Sequence, residues 1–173
     1  TGINLSRKNF SQSDVCEHLQ HILQKTGFNP KCLNLEISEN LIMENPELAL
    51  MNLERIHELG INLHIDNFGS GYSSLLYLHL LPINAIKIDR SFIRGLGVAE
   101  KEAQIVRTMV HLARELNMEI IAEGMETKTQ LLQMEKLGCD YAQGSFLSEC
   151  LNSQAIEGLL QRKMKDAPLP QMV

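Results

Sequence analysis

Short apolar segments alternate with longer amphipathic segments along most of the chain. The short segments have the length and alternation of β-strands, and the longer ones carry apolar residues at helical spacing. Because strands that alternate with such helices pair in parallel through right-handed crossovers, the pattern predicts an α/β fold, either an open doubly wound sheet or a closed barrel. The predicted strands are 2–5, 33–37, 61–66, 85–88, 118–122 and 140–142, and the predicted helices are 13–25, 46–59, 98–117, 127–137 and 153–163, with a shorter helix from Ser73 to Leu81.

Polar side chains recur where the predicted strands end. Each predicted strand carries a polar or charged residue at its C-terminal end. In chain order these residues are Asn4, Glu36, Asp66, Lys87 with Asp89, Glu123 and Gln143. This favours a (β/α)8 barrel, whose strand ends ring one mouth, over an open sheet, which concentrates such groups at one switch point. Since a complete barrel takes roughly 250 residues, we expect an incomplete TIM-type barrel of about six strands that lacks its N-terminal part.

Alternation within the strands separates a polar face from an apolar one. Residues two apart share a face of a strand, so Glu36 shares its face with Asn34, and Asp66 shares its face with His64. This face is predicted to line the barrel lumen. The opposite parity is apolar and is expected to pack against the helices; it comprises Leu33, Leu35, Ile37, Leu63, Ile65, Ile86, Ile88 and Ile120.

Composition narrows the class of protein. The 173 residues include 16 basic and 21 acidic side chains and 44% hydrophobic residues. The net charge of −5 and the lack of basic runs argue against a duplex nucleic-acid partner. No apolar run approaches the ~20 residues needed to span a bilayer, and four cysteines without a CxxC pair favour reduced thiols in the cytoplasm. We expect one domain over residues 1–165 and a tail at 166–173, within a longer parent because no initiator Met is present.

The oxygen-rich strand ends predict a divalent metal site. Asn4, Glu36, Asp66 and Glu123 are hard oxygen donors, which favour Mg²⁺ or Mn²⁺ over zinc. Lys87 lies on the lumen-facing parity, where a cation could neutralise charge that develops during phosphoester hydrolysis and orient the attacking water. Taken singly, each carboxylate could instead cap a helix or join an ion pair, and Lys87 could pair with Asp89 or Asp66.

Several ordered blocks of this sequence together resemble the EAL domain of bacterial cyclic di-GMP phosphodiesterases. They are Ile3-Asn4-Leu5-Ser6, Leu35-Glu36-Ile37-Ser38-Glu39, the stretch from Asp66 to Leu75, Leu81-Pro82, the stretch from Lys87 to Phe92, that from Ala122 to Thr127, and that from Gly138 to Gly144. The resemblance implies a (β/α)8-type barrel with a pair of Mg²⁺ or Mn²⁺ ions at its mouth. It also implies hydrolysis of one phosphodiester of cyclic di-GMP to linear pGpG. Residues 1–165 would be the C-terminal two thirds of such a domain.

The same resemblance assigns roles to individual residues. Asn4, Glu36 and Asp66 would bind metal, with Asp66 bridging both ions. Lys87 would orient or activate the hydrolytic water, and Glu123 would serve as metal ligand or general base. Glu39 would hold the loop that follows Asp66. Asp89 and Glu126 would organise the surroundings of the metals and the substrate side. Gln143 would lie close to the metals.

This sequence also departs from the family pattern. Asn67 stands where the family has the second of two aspartates, so a neutral amide replaces an anionic ligand and the second ion is expected to bind more weakly. Glu149 and Cys150 replace a basic residue and a proline. The Glu-Ala-Leu segment that names the family is absent from these 173 residues, so we expect an N-terminally truncated domain with little or no turnover of its own.

Two functions stay open for the parent protein. Asn67 and Glu149 favour a degenerate domain that binds cyclic di-GMP or a protein partner without turnover. A homodimer is a further possibility, because the loop after Asp66 lies near the subunit interface in the family. We also expect an upstream sensory or GGDEF-type module, with a membrane anchor in a preceding segment left open. A metal-dependent phosphodiesterase is the favoured function, since its residues are retained: Asn4, Glu36, Asp66, Lys87 and Glu123.

Overall fold

A computed structural model describes residues 1–10, 14–71, 75–96 and 100–163. Strands and helices alternate along these ranges, as the sequence predicts. The strands are β1 (Gly2–Asn4), β2 (Asn34–Ser38), β3 (Asn62–Phe68), β4 (Ala85–Ile88), β5 (Glu119–Glu123) and β6 (Tyr141–Gln143). The helices are α1 (Arg7–Phe10), α2 (Val15–Thr26), α3 (Glu39–Glu44), α4 (Pro46–Glu58), α5 (Leu75–Leu78), α6 (Arg90–Arg94), α7 (Glu100–Glu115), α8 (Lys128–Leu137) and α9 (Ser153–Lys163), with a 3₁₀ turn at Pro30–Cys32.

The six strands follow chain order, β1-β2-β3-β4-β5-β6, in one sheet. Parallel pairing sets Asn4 level with Glu36, and Glu36 level with His64. Further along the sheet, Glu123 lies level with Gln143. The alternation of parallel strands with helices confirms the α/β class that the sequence pattern indicates.

Close contacts divide the chain into two compact units. The first comprises residues 1–87 and 112–119, and the second comprises residues 88–111 and the chain from residue 120 on. In the first unit, the apolar parity of β2 and β3 is buried, since Leu35, Ile37, Leu63 and Ile65 are at most 2% exposed. The second unit has its own apolar core, which includes Ile88, Ile93, Val106, Ile120 and Met125. The predicted apolar face is therefore confirmed.

Several element boundaries differ from prediction. Helix α7 ends at Glu115 rather than at 117, because Asn117 adopts a left-handed backbone with φ of 57° that cannot continue the helix. Strand β3 runs on to Phe68, beyond the predicted end at 66. Helices α1, α3 and α6 have only four to six residues and were not predicted. The predicted tail at 166–173, residue 13 and residues 98–99 lie outside the described residues.

All four cysteines carry free thiols, as the spacing of these residues predicts. None of the helices in the described ranges is both long enough and apolar enough to cross a bilayer.

The Cys139 thiol makes the stability of the fold depend on pH. Its sulfur lies 2.9 Å from the carbonyl oxygen of Tyr141 and 3.2 Å from that of Ile120, which share its single S–H donor, and burial raises its pKa from 9.0 to about 11. Because the folded state holds this proton more tightly, the contribution is complete below pH 9.0 and is lost as the pH rises toward about 11. We expect urea unfolding across this range to show the decline. Cys139→Ser, which does not titrate there, should flatten it, and equal declines in both proteins would assign the effect to other groups.

Candidate functional site

Three charged side chains from β2, β3 and β4 meet in the first unit. Lys87 Nζ lies 2.5 Å from Glu36 Oε2 and 3.4 Å from Asp66 Oδ1. The side chains of Lys87, Glu36 and Asp66 are 5%, 13% and 15% exposed, so water and salt screen these charges only weakly. Two carboxylates and one ammonium give this charged cluster a formal charge of −1.

The strand register explains why these side chains meet. Glu36 is level with His64, and Ser38 is level with Asp66, so the two carboxylates lie one pleat apart on the same face. Lys87 lies two strands from Glu36, and its long side chain reaches across β3 to form the ion pair. Gly2 leaves room for this arrangement, because a Cβ there would contact Glu36 Oε1. Asn4 is exposed at the end of β1, level with Glu36.

Asn67 contacts the carboxylate of Asp66. Its Nδ2 donates a hydrogen bond of 2.9 Å to Asp66 Oδ2, and since an ionised carboxylate only accepts, the amide must present its NH₂ group here. Asn67 has φ of 55°, in the left-handed region that asparagine tolerates. Asp66 Oδ1 is buried and hydrogen-bonds to none of the described residues, although it lies within Coulombic reach of Lys87. A buried carboxylate oxygen of this kind is suited to a cation.

A buried carboxylate anchors the loop that follows. Glu39 is 2% exposed, and its Oε2 accepts hydrogen bonds from the backbone N–H groups of Gly69 at 2.8 Å and Gly71 at 3.3 Å. A Cβ at Gly71 would lie 2.5 Å from Asn40 Oδ1, so this loop closely approaches the side chain of Asn40 on α3. Glu39 thus contacts the loop after Asp66, as the family resemblance implies.

His64 is the site residue to which sequence reasoning gave no role. It lies on the predicted lumen face, is 5% exposed, and its Nδ1 forms no hydrogen bond with any residue in the described ranges. Burial lowers the pKa of His64, the Glu36 carboxylate opposes this shift and the Lys87 ammonium adds to it. The imidazole is therefore neutral at neutral pH. Only the parity of β3 pointed to it, because a single histidine carries no spacing signal.

The second unit holds two of the predicted residues at strand ends. Glu123 is the last residue of β5, Gln143 is the last residue of β6, and the register sets them side by side. The carbonyl oxygen of Gln143 accepts a hydrogen bond of 3.0 Å from the N–H of Met125. A Cβ at Gly144 would contact the backbone of Met125, so the end of β6 packs tightly on the segment after β5.

Asp89 and Glu126 make local contacts within the second unit. Asp89 Oδ1 accepts a hydrogen bond of 2.8 Å from Ser91 N and caps α6. Glu126 pairs with Arg94 at 3.2 Å on the surface. Of the two ion-pair partners left open for Lys87, the structure shows Asp66, and it adds a shorter pairing with Glu36. Glu149 and Cys150, which depart from the family pattern, are both exposed.

The donor chemistry of the first unit fits a hard divalent cation. Asn4, Glu36 and Asp66 supply oxygens, and Asp66 Oδ1 lacks a hydrogen bond from the described part of the protein. Yet no three His, Cys, Asp or Glu side chains in the four described ranges are arranged to hold a metal ion. Glu36 Oε2 faces Lys87, and Asp66 Oδ2 faces Asn67. The residue types suit a hard divalent ion, but Lys87 and Asn67 donate hydrogen bonds to two of the carboxylate oxygens.

The family model of the EAL domain matches residues 1–150. This chain belongs to the EAL domain family. The EAL domain is 35% identical over 168 residues to the cyclic di-GMP phosphodiesterase NbdA of Pseudomonas aeruginosa. The aligned residues cover 97% of this chain and 22% of NbdA. It is 37% identical over 154 residues to MucR of the same organism, a bifunctional diguanylate cyclase/cyclic di-GMP phosphodiesterase. The aligned residues cover 89% of this chain and 22% of MucR. The chain spans about a fifth of the length of these relatives.

Solved structures of relatives share the fold of this EAL domain. The MucR phosphodiesterase in complex with cyclic di-GMP matches with a TM-score of 0.86 at 37% identity, over 90% of this chain and 63% of that chain. A manganese and cyclic di-GMP complex of BlrP1 from Klebsiella pneumoniae matches with a TM-score of 0.73 at 26% identity, over 80% of this chain and 36% of that chain. The fold class is confirmed as a TIM-type (β/α)8 barrel, represented here by six strands.

Proposed function

We propose that the protein containing this EAL domain is a metal-dependent phosphodiesterase that hydrolyses cyclic di-GMP to pGpG. The observation that carries the proposal is the buried cluster of Glu36, Asp66 and Lys87 on the strands β2, β3 and β4. The relatives NbdA and MucR, both named for this activity, support the choice of substrate. Because the chain covers 22% of each, the activity of the whole protein is part of the proposal.

The first unit would hold the metal. Asn4, Glu36 and Asp66 would supply its oxygen ligands, with Asn67 as a weakened position. Glu123 would serve either as a metal ligand or as the general base, as the family resemblance implies. Oxygen donors of this kind suit Mg²⁺ or Mn²⁺, and the manganese complex of BlrP1 supports this choice. A divalent ion held there supplies Lewis-acid stabilisation of negative charge on the phosphodiester.

Lys87 and Glu123 would carry out the proton and charge chemistry. The water oxygen would bond to phosphorus, the bond from phosphorus to the leaving ribose oxygen would break, and that oxygen would gain the proton that the attacking water gives up. Glu123 would take the proton from the attacking water as general base. Lys87 would orient this water and stabilise the developing negative charge. Glu39, Asp89, Glu126 and Gln143 would hold the surrounding loops and the substrate side.

The hydrogen bond from Asn67 to Asp66 favours a second candidate function. Because this amide replaces a carboxylate of the family and occupies an oxygen of Asp66, the domain would bind cyclic di-GMP as a regulatory module without turnover. Under either function we infer an EAL portion at residues 1–165, a tail at 166–173, a cytoplasmic location, a possible homodimer and an upstream sensory or GGDEF-type module, as the bifunctional MucR suggests.

Replacing Asn67 with aspartate is expected to raise the activity of the whole protein. The substitution removes the donor that holds Asp66 Oδ2 and adds an anionic ligand. At low Mg²⁺ or Mn²⁺, pGpG release should increase by about tenfold, because groups around a metal site change its affinity by that order. The matched control is Asn117→Asp, since Asn117 has nearly the same φ, 57° against 55°. This control should leave pGpG release unchanged across the metal titration.

The same assay separates the two candidate functions. If neither the natural protein nor Asn67→Asp releases pGpG, yet both bind cyclic di-GMP, the binding module is the correct function. If the natural protein is fully active at low metal and Asn67→Asp changes nothing, the role given to Asn67 is wrong.

A further inference from the structure

We propose that Lys87 and Asn67 are built-in substitutes for the divalent ion, which hold the metal-binding carboxylates in its absence and compete with it for their oxygens. The inference rests on the proposed metal dependence and concerns the regulation of that same site. It predicts that the chain sets its own metal threshold through the competition of these side chains with the ion.

Three of the four carboxylate oxygens of Glu36 and Asp66 already face positive charge or an N–H donor. Glu36 Oε2 accepts from Lys87 Nζ at 2.5 Å, Asp66 Oδ2 accepts from Asn67 Nδ2 at 2.9 Å, and Asp66 Oδ1 lies 3.4 Å from Lys87 Nζ. The fourth oxygen, Glu36 Oε1, lies against Gly2. Lys87 and Asn67 thus each hold an oxygen of a carboxylate that would bind the ion.

Charge balance makes Lys87 the stronger competitor. Two carboxylates this deeply buried repel each other, and a cation between them removes most of that repulsion. Lys87 brings the charged cluster to −1, so an ion of charge +2 would bring it to +1. Without Lys87 the same ion would neutralise the cluster from −2 to 0. The ammonium therefore stabilises the empty site and opposes the filled one.

Asn67 competes through its hydrogen bond rather than through charge. Its NH₂ group occupies a lone pair of Asp66 Oδ2 and draws electron density from that oxygen, which weakens it as a metal ligand. Replacement by glycine removes this donor and keeps the backbone relaxed, because glycine accepts the positive φ of 55°. This variant separates competition by the amide from the gain of a carboxylate, since it adds no ligand.

The test is calorimetric titration of Mn²⁺ alone into metal-free protein, without substrate. Lys87→Met is expected to bind Mn²⁺ at least about tenfold more tightly than the natural protein, and Lys87→Arg, which keeps the charge, should stay within about threefold of it. Asn67→Gly is expected to bind about fivefold more tightly, the worth of one hydrogen bond. Lys101→Met, at an exposed position on α7, and Asn117→Gly, at φ of 57°, are matched controls and should not change Mn²⁺ affinity.

Thermal unfolding shows whether each variant is folded, so that a loss of folding is not mistaken for a loss of Mn²⁺ binding. Lys87→Met should unfold at lower temperature in EDTA, and Mn²⁺ should raise its midpoint by more than it raises that of the natural protein. If Lys87→Met does not fold even with Mn²⁺, the Mn²⁺ affinity of Asn67→Gly becomes the test. The proposal is overturned if Asn67→Gly binds Mn²⁺ no more tightly than the natural protein does.

The outcomes distinguish this inference from the proposed function. If the natural protein binds Mn²⁺ and Lys87→Met binds it equally or more weakly, the inference fails while the metal-dependent function stands. Equal tightening by Lys87→Met and Lys87→Arg would also overturn it, because the effect would then not depend on charge. If none of the proteins binds Mn²⁺, both the inference and the proposed metal dependence are wrong.

Discussion

Replacing Glu36 with glutamine is expected to lower turnover of cyclic di-GMP by the whole protein by roughly 10²–10³-fold, the usual loss when a group that organises transition-state charge is removed. Glutamine has nearly the same shape, so the packing against Gly2 is kept. The change removes the negative charge that would hold the metal. It also weakens the 2.5 Å ion pair that positions Lys87.

Glu17 offers a matched control for this substitution. It also forms an ion pair of 2.5 Å, with Arg55, but its side chain is 57% exposed on α2. Glu17→Gln should therefore leave pGpG release within about twofold, because an exposed pair contributes little. If Glu36→Gln keeps more than about a tenth of the natural rate, Glu36 is not part of the catalytic site.

Replacing Lys87 with methionine is expected to lower the free energy of unfolding of the metal-free protein by about 3–5 kcal/mol, the loss found when one partner of a buried ion pair is removed. Methionine fills much of the same volume, so the effect reports the charge. The carboxylates of Glu36 and Asp66, 13% and 15% exposed, would face each other without the ammonium. Urea unfolding in EDTA measures the change.

Two further variants identify the cause of this loss. Arg55→Met breaks the exposed pair with Glu17 and should leave the unfolding midpoint almost unchanged. The double variant Lys87→Met with Glu36→Gln should recover part of the loss, because it removes one of the unpaired buried charges. A loss for Lys87→Met no greater than that for Arg55→Met would contradict the importance of the buried pair.

The strand pattern predicted the sheet well because side chains two apart share a face, and one face of each strand packs into an apolar core. Leu63 and Ile65 are buried on one face of β3, while His64 and Asp66 lie on the other, as the alternation indicates. The short helices α1, α3 and α6 escaped prediction because four to six residues are too few to show an amphipathic repeat. In α6, for example, the signal is the cap that Asp89 provides.

Contacts between distant strands were harder to predict than positions on one strand. Alternation placed Glu36 and Lys87 on the lumen face, but nothing in their spacing showed that Lys87 reaches across β3 to Glu36. The burial of Glu39 likewise depends on two loop N–H groups 30 and 32 residues away in sequence, so only the family resemblance pointed to it. The donor role of Asn67 toward Asp66 depends on its left-handed backbone, which the sequence does not specify.

The most direct test of the central claim is the release of pGpG from cyclic di-GMP by the whole protein, measured with added Mn²⁺ and again with EDTA. We expect pGpG to form with Mn²⁺, to stop in EDTA, to resume when Mn²⁺ is restored, and to be lost in Glu36→Gln. Release of pGpG that continues in EDTA, or its absence at saturating Mn²⁺ while cyclic di-GMP still binds, would contradict a metal-dependent phosphodiesterase.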